Sequence, residues 1–329
     1  MKTLVTGATG HLGANLVRAL LDNGEKVRVL VRAGSDLAAV DGLDVEQAVG
    51  DLRDRRTVRD AVQGVDRIYH SAAFVSIRSG DRQELFDTNV LGTRYLMQEA
   101  RRADVQRVVH TSSFGAVGIN PDGVSNEKWT VSPFELASDY ERTKAVSEQE
   151  VLLEAVRGLD VSIVNPAGIV GPWDFRPSLI GRTILDFAHG RMPAFVPGAF
   201  DFVPVRDVVS AELLAMQKGR RGERYMITGE YHSIDQILDW LQEFTGKPRP
   251  KKAIPPKAMQ YLALLKDPLE RRFFPDKAPR FNYHSIRLLN SGKRGDSSRI
   301  QRELGLVPTS TRQAFAEAVV WFRERGMIA

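Results

Sequence analysis

The stretch "SDYERTKAVSEQE", Ser138 to Glu150, carries a phenol and an ammonium four positions apart, Tyr140 and Lys144. Its other residues are mostly charged or long-chained, with Ala145 and Val146 inside, so it predicts a helix. With a rise of 1.5 Å per residue, the two groups share one face, about 6 Å apart along the axis. In isolation this is an exposed i,i+4 pair. Beside a cation, however, a phenol with a free pKa of about 10 can give and take a proton nearer neutral pH. A second group of residues opens the chain. "TLVTGATGHLGANLVRALLDNG" places Gly7, Gly10 and Gly13 between a predicted strand and a predicted helix. Gly7 permits a tight turn, Gly10 lets backbone N–H groups approach a pyrophosphate, and Gly13 lets the helix pack closely on a sheet.

The elements that must position these groups alternate through the first half. Predicted strands are "TLVTG" (3–7), "KVRVLVR" (26–32), one within "VEQAVGDL" (45–52), "DRIYHSAA" (66–73), "QRVVHTSS" (106–113) and "DVSIVNP" (160–166). Predicted helices span His11 to Asp22, 56–64, 82–103 and Ser138 to Val156. This alternation implies right-handed βαβ units, and the apolar strands imply a sheet covered on both faces. The fold class is therefore α/β, a Rossmann-type doubly wound parallel sheet with a smaller, mostly helical C-terminal lobe for the substrate. Residues 1–170 form the dinucleotide-binding domain, with return segments near 203–230; residues 171–202 and 231–329 form the lobe. After Pro166, "GPWDFRPSLIGRT" and "RMPAFVPGAFDFVP" read as pocket loops rather than more sheet, and "ERYMITG" (223–229) reads as a late strand.

The totals narrow the chemistry. The 329 residues are 43% hydrophobic and 26% charged, which fits a globular chain with a sizeable core. Without a cysteine, disulfides, thiolate catalysis and Cys-ligated metal sites are excluded. The net charge of +5 comes from 46 basic and 41 acidic residues, well mixed, so it predicts a solvated surface and no nucleic-acid partner. There is no signal-like h-region at "MKTLVTGATG" and no apolar run long enough to span a bilayer, so the expected location is the cytoplasm, with no integral membrane segment. No cluster of histidines and acids has metal-ligand spacing, and His70 and His110 are expected to pack at strand ends.

The second strand indicates which nucleotide binds. An acid at its end would hold both ribose hydroxyls of NAD, but "VLVRAGS" has none at Leu30, Val31 or Arg32. An arginine there suits a 2′-phosphate. The expected cofactor is therefore NADP(H), with NAD(H) the alternative, and with Arg32 as its reader and Ser35 as a helper. Asp51, in "GDL" (50–52), is placed to meet the adenine amino group.

Taken in order, "TGATGHLG", "GDL", "HSAA" at 70–73, "TNVLGT" at 88–93, "TSS" at 111–113 and "YERTK" at 140–144 resemble the extended short-chain dehydrogenases/reductases, of NAD-dependent epimerase/dehydratase type. The resemblance covers nearly the whole chain, including the tail "SSRIQRELGLVPT". It implies that Tyr140 is the general acid/base, that Lys144 favours the phenolate and holds the nicotinamide ribose, and that Ser113 holds the substrate oxygen. Ser113 is chosen over Ser112 because it stands five residues before Gly118. Cofactor contacts are implied for Gly7, Thr9, Gly10, His11, Leu12 and Gly13, for Asp51 and Leu52, and for Ser71, Ala72 and Ala73. Asn89 on the 82–103 helix joins them, as do Pro166 and Ile169 of "NPAGIVGP". The 82–103 and 138–157 helices imply a homodimer through a four-helix interface.

Within the family, "AVG" at 116–118 and "NPAGIVGP" at 165–172 lack the tyrosines and arginine common in sugar-nucleotide enzymes. The aromatic stretches after Pro166 suit an apolar ketone or alcohol. The expected function is thus an oxidoreductase like dihydroflavonol reductases and 3β-hydroxysteroid dehydrogenases. The alternatives are a nucleotide-sugar epimerase/dehydratase, using Arg176, Arg182 or Arg206 on the diphosphate, and a non-catalytic NADP-sensing module. The stretch 255–274 reads as an amphipathic helix on the lobe, with a lid or membrane contact as the other reading.

Overall fold

The computed structural model of the chain describes residues 1–76, 78, 80–121, 123–261, 286–287 and 289–328. Its strands are β1 (Lys2–Thr6), β2 (Lys26–Val31), β3 (Val45–Val49), β4 (Arg67–His70), β5 (Arg107–Thr111), β6 (Val124–Ser125) and β7 (Val161–Pro166). They continue as β8 (Gly168–Val170), β9 (Ala194–Phe195), β10 (Ala199–Pro204), β11 (Arg224–Ile227), β12 (Glu230–Ser233), β13 (Lys252–Ala253) and β14 (Arg294–Gly295). The helices used below are α1 (His11–Asp22), α2 (Arg55–Val62), α3 (Arg82–Phe86), α4 (Thr93–Arg102) and α5 (Asp139–Val156). After them come α6 (Leu179–Ala188), α7 (Val205–Lys218), α8 (Ile234–Thr245), α9 (Ser298–Leu304) and α10 (Thr311–Glu324).

Seven strands form one sheet in the order β3-β2-β1-β4-β5-β7-β11, parallel throughout. The order reverses between β1 and β4, which opens a crevice at their carboxyl ends. Alternate residues of one strand serve opposite layers. Val5, Tyr69 and Val109 pack with α1 and α7, through Leu16, Val208 and Ala215. Leu4, Ile68 and Val108 pack with α2, α4 and α5, through Val58, Leu96 and Val151. Both faces are therefore apolar, as the sequence requires. Each fully buried Leu or Val contributes roughly 1.5–3 kcal/mol.

The region after Pro166 differs from the expectation of pocket loops. It contains α6 and a second, three-stranded sheet in which β10 pairs with β8 on one side and β12 on the other. Its aromatics are mostly core rather than pocket lining. Phe195 and Phe202 are buried with Phe315, Trp321 and Phe322 of α10, and Phe175 and Phe200 pack against that cluster. The expected single helix over 82–103 is also interrupted, because residues Asp87–Gly92 form a π-helical turn between α3 and α4. The 255–274 stretch lies outside the described residues from 262 onward; 256–261 are helical.

Candidate active site

The crevice floor begins at the turn after β1. Gly7 has φ +77°, and a Cβ on it would lie 2.7 Å from the Ala72 backbone nitrogen. A Cβ on Gly13 would lie 2.1 Å from the Gly7 carbonyl oxygen. Only glycine fits either place. Gly10 caps α1 without a side-chain bond, and the first turn of α1 carries no acid. Free N–H groups and the positive helix end thus face the crevice beside Thr9, a site that fits a pyrophosphate. Leu12 is buried behind it. The His11 ring is directed elsewhere: its Nε2 lies 3.1 Å from the Pro172 carbonyl, which Asn15 also donates to at 3.0 Å. The ring is thus committed to that carbonyl rather than to the crevice.

The turn after β4 is clipped to the glycine turn. Ser71 Oγ donates to the Thr6 carbonyl at 2.8 Å, and the Ala72 N–H donates to Thr6 Oγ1 at 3.3 Å. Ala73 follows on the same partly buried strand end. Thr6 Oγ1 also meets His70 Nδ1 at 2.8 Å, and His70 Nε2 meets Thr93 Oγ1 at 2.9 Å. Burial lowers the His70 pKa to about 3 and keeps it neutral. His70 and His110 are both fully buried.

Asn89 lies in the π-helical turn and is 1% exposed. Its Oδ1 accepts the Phe74 N–H at 2.8 Å, and its Nδ2 donates to the Phe74 carbonyl at 3.0 Å and to Thr143 Oγ1 at 3.3 Å. These bonds tie the loop after β4 to α5.

At the end of β2, a cleft of ≈ 630 Å³ is lined by Arg32, Gly34, Ser35, Asp51, Arg53 and Arg176, among others. Arg53 and Arg176 join Arg32 from the turn after β3 and from the lobe. Asp51 accepts from Arg53 Nε at 3.0 Å and Nη2 at 2.7 Å. That pairing holds its carboxyl below the usual range. Asp51 thus orients Arg53, while Leu52 packs under Gly92.

Tyr140 and Lys144 enter from α5. Ser138 caps that helix, accepting the Glu141 N–H at 3.2 Å, while Glu141 Oε2 accepts the Ser138 N–H at 3.0 Å. This reciprocal cap fixes where the helix begins and sets the half-buried Tyr140 in its first turn. Burial keeps the Tyr140 phenol's pKa above its usual value, against the pull of the Ser113 side chain. Ser113 also caps the short helix 114–117, its Oγ accepting the Gly115 N–H at 3.0 Å. Ser112 turns away to donate to Glu148. Lys144 is 2% exposed, and its Nζ donates to the Thr111 carbonyl at 2.7 Å. Burial lowers its pKa to about 8, against the pull of Glu148 and Glu212.

Supporting groups surround these residues. Asn165 Nδ2 donates to the Ser113 carbonyl at 3.0 Å and to Glu148 Oε1 at 2.6 Å. Lys293, 2% exposed, donates to the Phe114 carbonyl at 2.7 Å. Pro166 ends β7, paired with Ile227. Ile169 lies in β8 opposite Val203, where the two sheets meet. Sequence reasoning missed Arg53, Glu212 and Lys293. Arg53 had a signal in its place two residues after Asp51. The other two meet partners 101 and 179 positions away, with no local pattern to mark them.

Among the described residues, no group of His, Asp and Glu could hold a metal ion, and no helix is long and apolar enough to cross a membrane. A parallel sheet in this order, with a glycine turn after β1 and a tyrosine–lysine helix beside β5, is the architecture of the extended short-chain dehydrogenases/reductases. The chain belongs to the NAD dependent epimerase/dehydratase family, whose model matches residues 3–228. It is 79% identical over 328 residues to "Sterol demethylase protein B" of Methylococcus capsulatus, covering 100% of both chains. It is 31% identical over 340 residues to "3 beta-hydroxysteroid dehydrogenase/Delta 5-->4-isomerase" of Mycobacterium tuberculosis, covering 98% of this chain and 90% of the other. A solved dTDP-glucose 4,6-dehydratase from Streptomyces venezuelae, holding NAD, superposes with a TM-score of 0.81 at 25% identity, covering 100% and 99%.

Proposed function

We propose that the protein is an NADP(H)-dependent oxidoreductase that interconverts a secondary alcohol and a ketone on a sterol. The observation that carries the chemistry is the placement of Tyr140 on α5 one turn before the buried Lys144, whose Nζ is fixed on the Thr111 carbonyl at the end of β5. The sterol rests on the full-length relative named for sterol demethylation and on the 3β-hydroxysteroid dehydrogenase. It no longer rests on the aromatics after Pro166, which belong to the lobe core.

A bound NADP would supply, at nicotinamide C4, the atom that takes or gives the hydride. The glycine turn and the start of α1 would hold its pyrophosphate, and the Arg32–Arg53–Arg176 cleft its 2′-phosphate. The bias towards NADP over NAD rests on that cleft. Ser113 would hold the carbinol oxygen with Tyr140, and the Tyr140 phenolate would take the hydroxyl proton as hydride leaves the carbinol carbon. The Lys144 ammonium would lower the phenol's pKa towards working pH and bind the nicotinamide ribose. Asn89 and Asn165 would position the groups around them.

A fold that moves only hydride and protons can still remove a carbon. If the carbon next to the carbinol bears a carboxylate, oxidation yields a β-keto acid. Its C–CO2 bond then breaks, the electron pair passes into the enolate, and the enolate takes a proton to leave a ketone and CO2. This would join the two sterol names through one chemistry.

The test is to give the purified protein NADP+ and a sterol 3β-alcohol, with and without a carboxylate on the neighbouring carbon. NADPH formed one-to-one with CO2 from the carboxylated sterol supports the reading. No turnover of either sterol, with epimerisation of a nucleotide sugar instead, contradicts it. Of the arginines offered for a sugar diphosphate, Arg206 pairs with Glu317 and Arg176 lines the Arg32 cleft. We expect a homodimer through α4 and α5, where Leu153 and Val156 are exposed.

A further inference from the structure

Glu212 lies on α7, across the parallel sheet from α5, since α7 packs with α1 and α5 with α4 on the opposite face. Yet Glu212 and Lys144 converge on one residue, the last of β5. The Thr111 hydroxyl donates to Glu212 Oε1 at 2.5 Å, and the Thr111 carbonyl accepts from Lys144 Nζ at 2.7 Å. The carboxyl is 0% exposed, and its second oxygen, Oε2, is buried with no hydrogen-bond partner among the described residues. A buried carboxyl oxygen left without a partner is costly. Satisfying one threonine hydroxyl does not need it, because a backbone carbonyl would serve.

We infer that Glu212 is a positioning residue that sets the charge on Lys144 through the carboxyl end of β5, and so governs when Tyr140 can exchange its proton. The inference rests on the reading of Tyr140 and Lys144 as the working pair. Burial raises the Glu212 pKa to about 7, against the pull of Thr111 and Lys144. Burial lowers that of Lys144 to about 8. With rising pH the two groups therefore pass from a neutral carboxyl beside an ammonium, through an ion pair, to a carboxylate beside a neutral amine. The other groups facing them are accounted for. His70 of β4 and His110 of β5 are buried and held neutral, partly by the Lys144 charge. Tyr69 of β4, which feels Glu212, is held protonated by burial. Glu148 of α5 pairs with Arg224 at 3.2 Å.

The sign follows from electrostatics. A carboxylate at 212 favours the ammonium, and removing it makes Lys144 lose its proton at lower pH. A neutral lysine no longer aids the phenolate, so turnover is lost at lower pH on the alkaline side. Below about 7, where Glu212 is itself protonated, its removal changes little.

The experiment compares wild type with Glu212→Gln, whose amide oxygen can still accept from Thr111. Two readouts are taken: the pH profile of kcat, and infrared difference spectra of the cofactor-free protein between pH 5 and 9. The account expects the alkaline limb to fall by about half a pH unit or more, with the acid limb below 7 unmoved. It also expects a protonated-carboxyl band titrating near 7 that is lost in the variant. Limbs that superimpose on wild type, with the rate merely scaled, overturn it, as does the lack of any such band. If Glu212→Gln does not fold, Thr111→Val tests the same link, and an unmoved band midpoint overturns it. The spectra do not depend on Tyr140. Wild-type turnover in Tyr140→Phe would sink the catalytic reading, while a titrating Glu212 would still be seen.

Discussion

The carboxyl ends of β5 and β2 lie on the same edge of the sheet but are built differently. At β5, Thr111, Ser112 and Lys144 are 8%, 5% and 2% exposed, and each is bonded to a named partner. At β2, Arg32, Arg53 and Arg176 are exposed around an open cleft. A buried, hydrogen-bonded site holds its groups to one geometry, whereas exposed arginines hold an anion by charge and can adapt. The first arrangement suits bond-making and the second suits choosing a cofactor. A change at β5 should therefore alter turnover, and a change at β2 should alter preference.

The sharpest way to break this division is Tyr140→Phe. We expect kcat to fall by about 10³-fold, as for loss of a general acid/base, with the NADPH Kd measured by fluorescence titration changed less than about threefold. Weakened binding with normal turnover would reverse the roles of the two regions. Next in size is Arg32→Asp. We expect the ratio of kcat/KM for NADPH over NADH to drop by about tenfold or more, because a phosphate partner is replaced by an anion. An unchanged ratio would remove Arg32 from the site. Combined with Tyr140→Phe, the binding effect of Arg32→Asp should be additive, since the sites share no partner.

Smaller effects test the supports. Asn89→Ala leaves the Phe74 N–H and carbonyl without their partner and should cost about 1–3 kcal/mol in urea unfolding, with cofactor preference unchanged. A shift in preference would point to Asn89 as a direct contact. The smallest expected effect lies in the lobe. Burial raises the Asp201 pKa from 3.8 to about 6, so between those values the folded chain keeps a proton that the unfolded chain has released. Stability should fall as pH rises through that window. Asp201→Asn should flatten this slope in thermal melts; a slope equal to that of wild type would exclude Asp201 as its source.

The sequence made the first region legible where its logic is local. The bounds of α1 at His11 and Asp22 follow from the glycine turn and the apolar repeat, and Tyr140 and Lys144 declare themselves by helical spacing. The break at Asp87–Gly92 was hidden because a π-helical turn leaves the residue pattern of a helix intact. Residues 168–204 misled because β8 and β10 are short and pair across the chain, and because aromatics look alike in a core and in a pocket. Lys293 and Glu212 were silent for a similar reason: their meaning depends on the Phe114 carbonyl and on Thr111, both distant in sequence.

The most direct measurement uses a sterol 3β-alcohol carrying deuterium on its carbinol carbon, incubated with NADP+ and the protein, with the nicotinamide analysed by mass spectrometry. The account predicts deuterium on the reduced nicotinamide, in step with ketone formation and absent in Tyr140→Phe. Deuterium that stays on the sterol, in a protein that instead retains tightly bound NAD and inverts a sugar carbon, would contradict it.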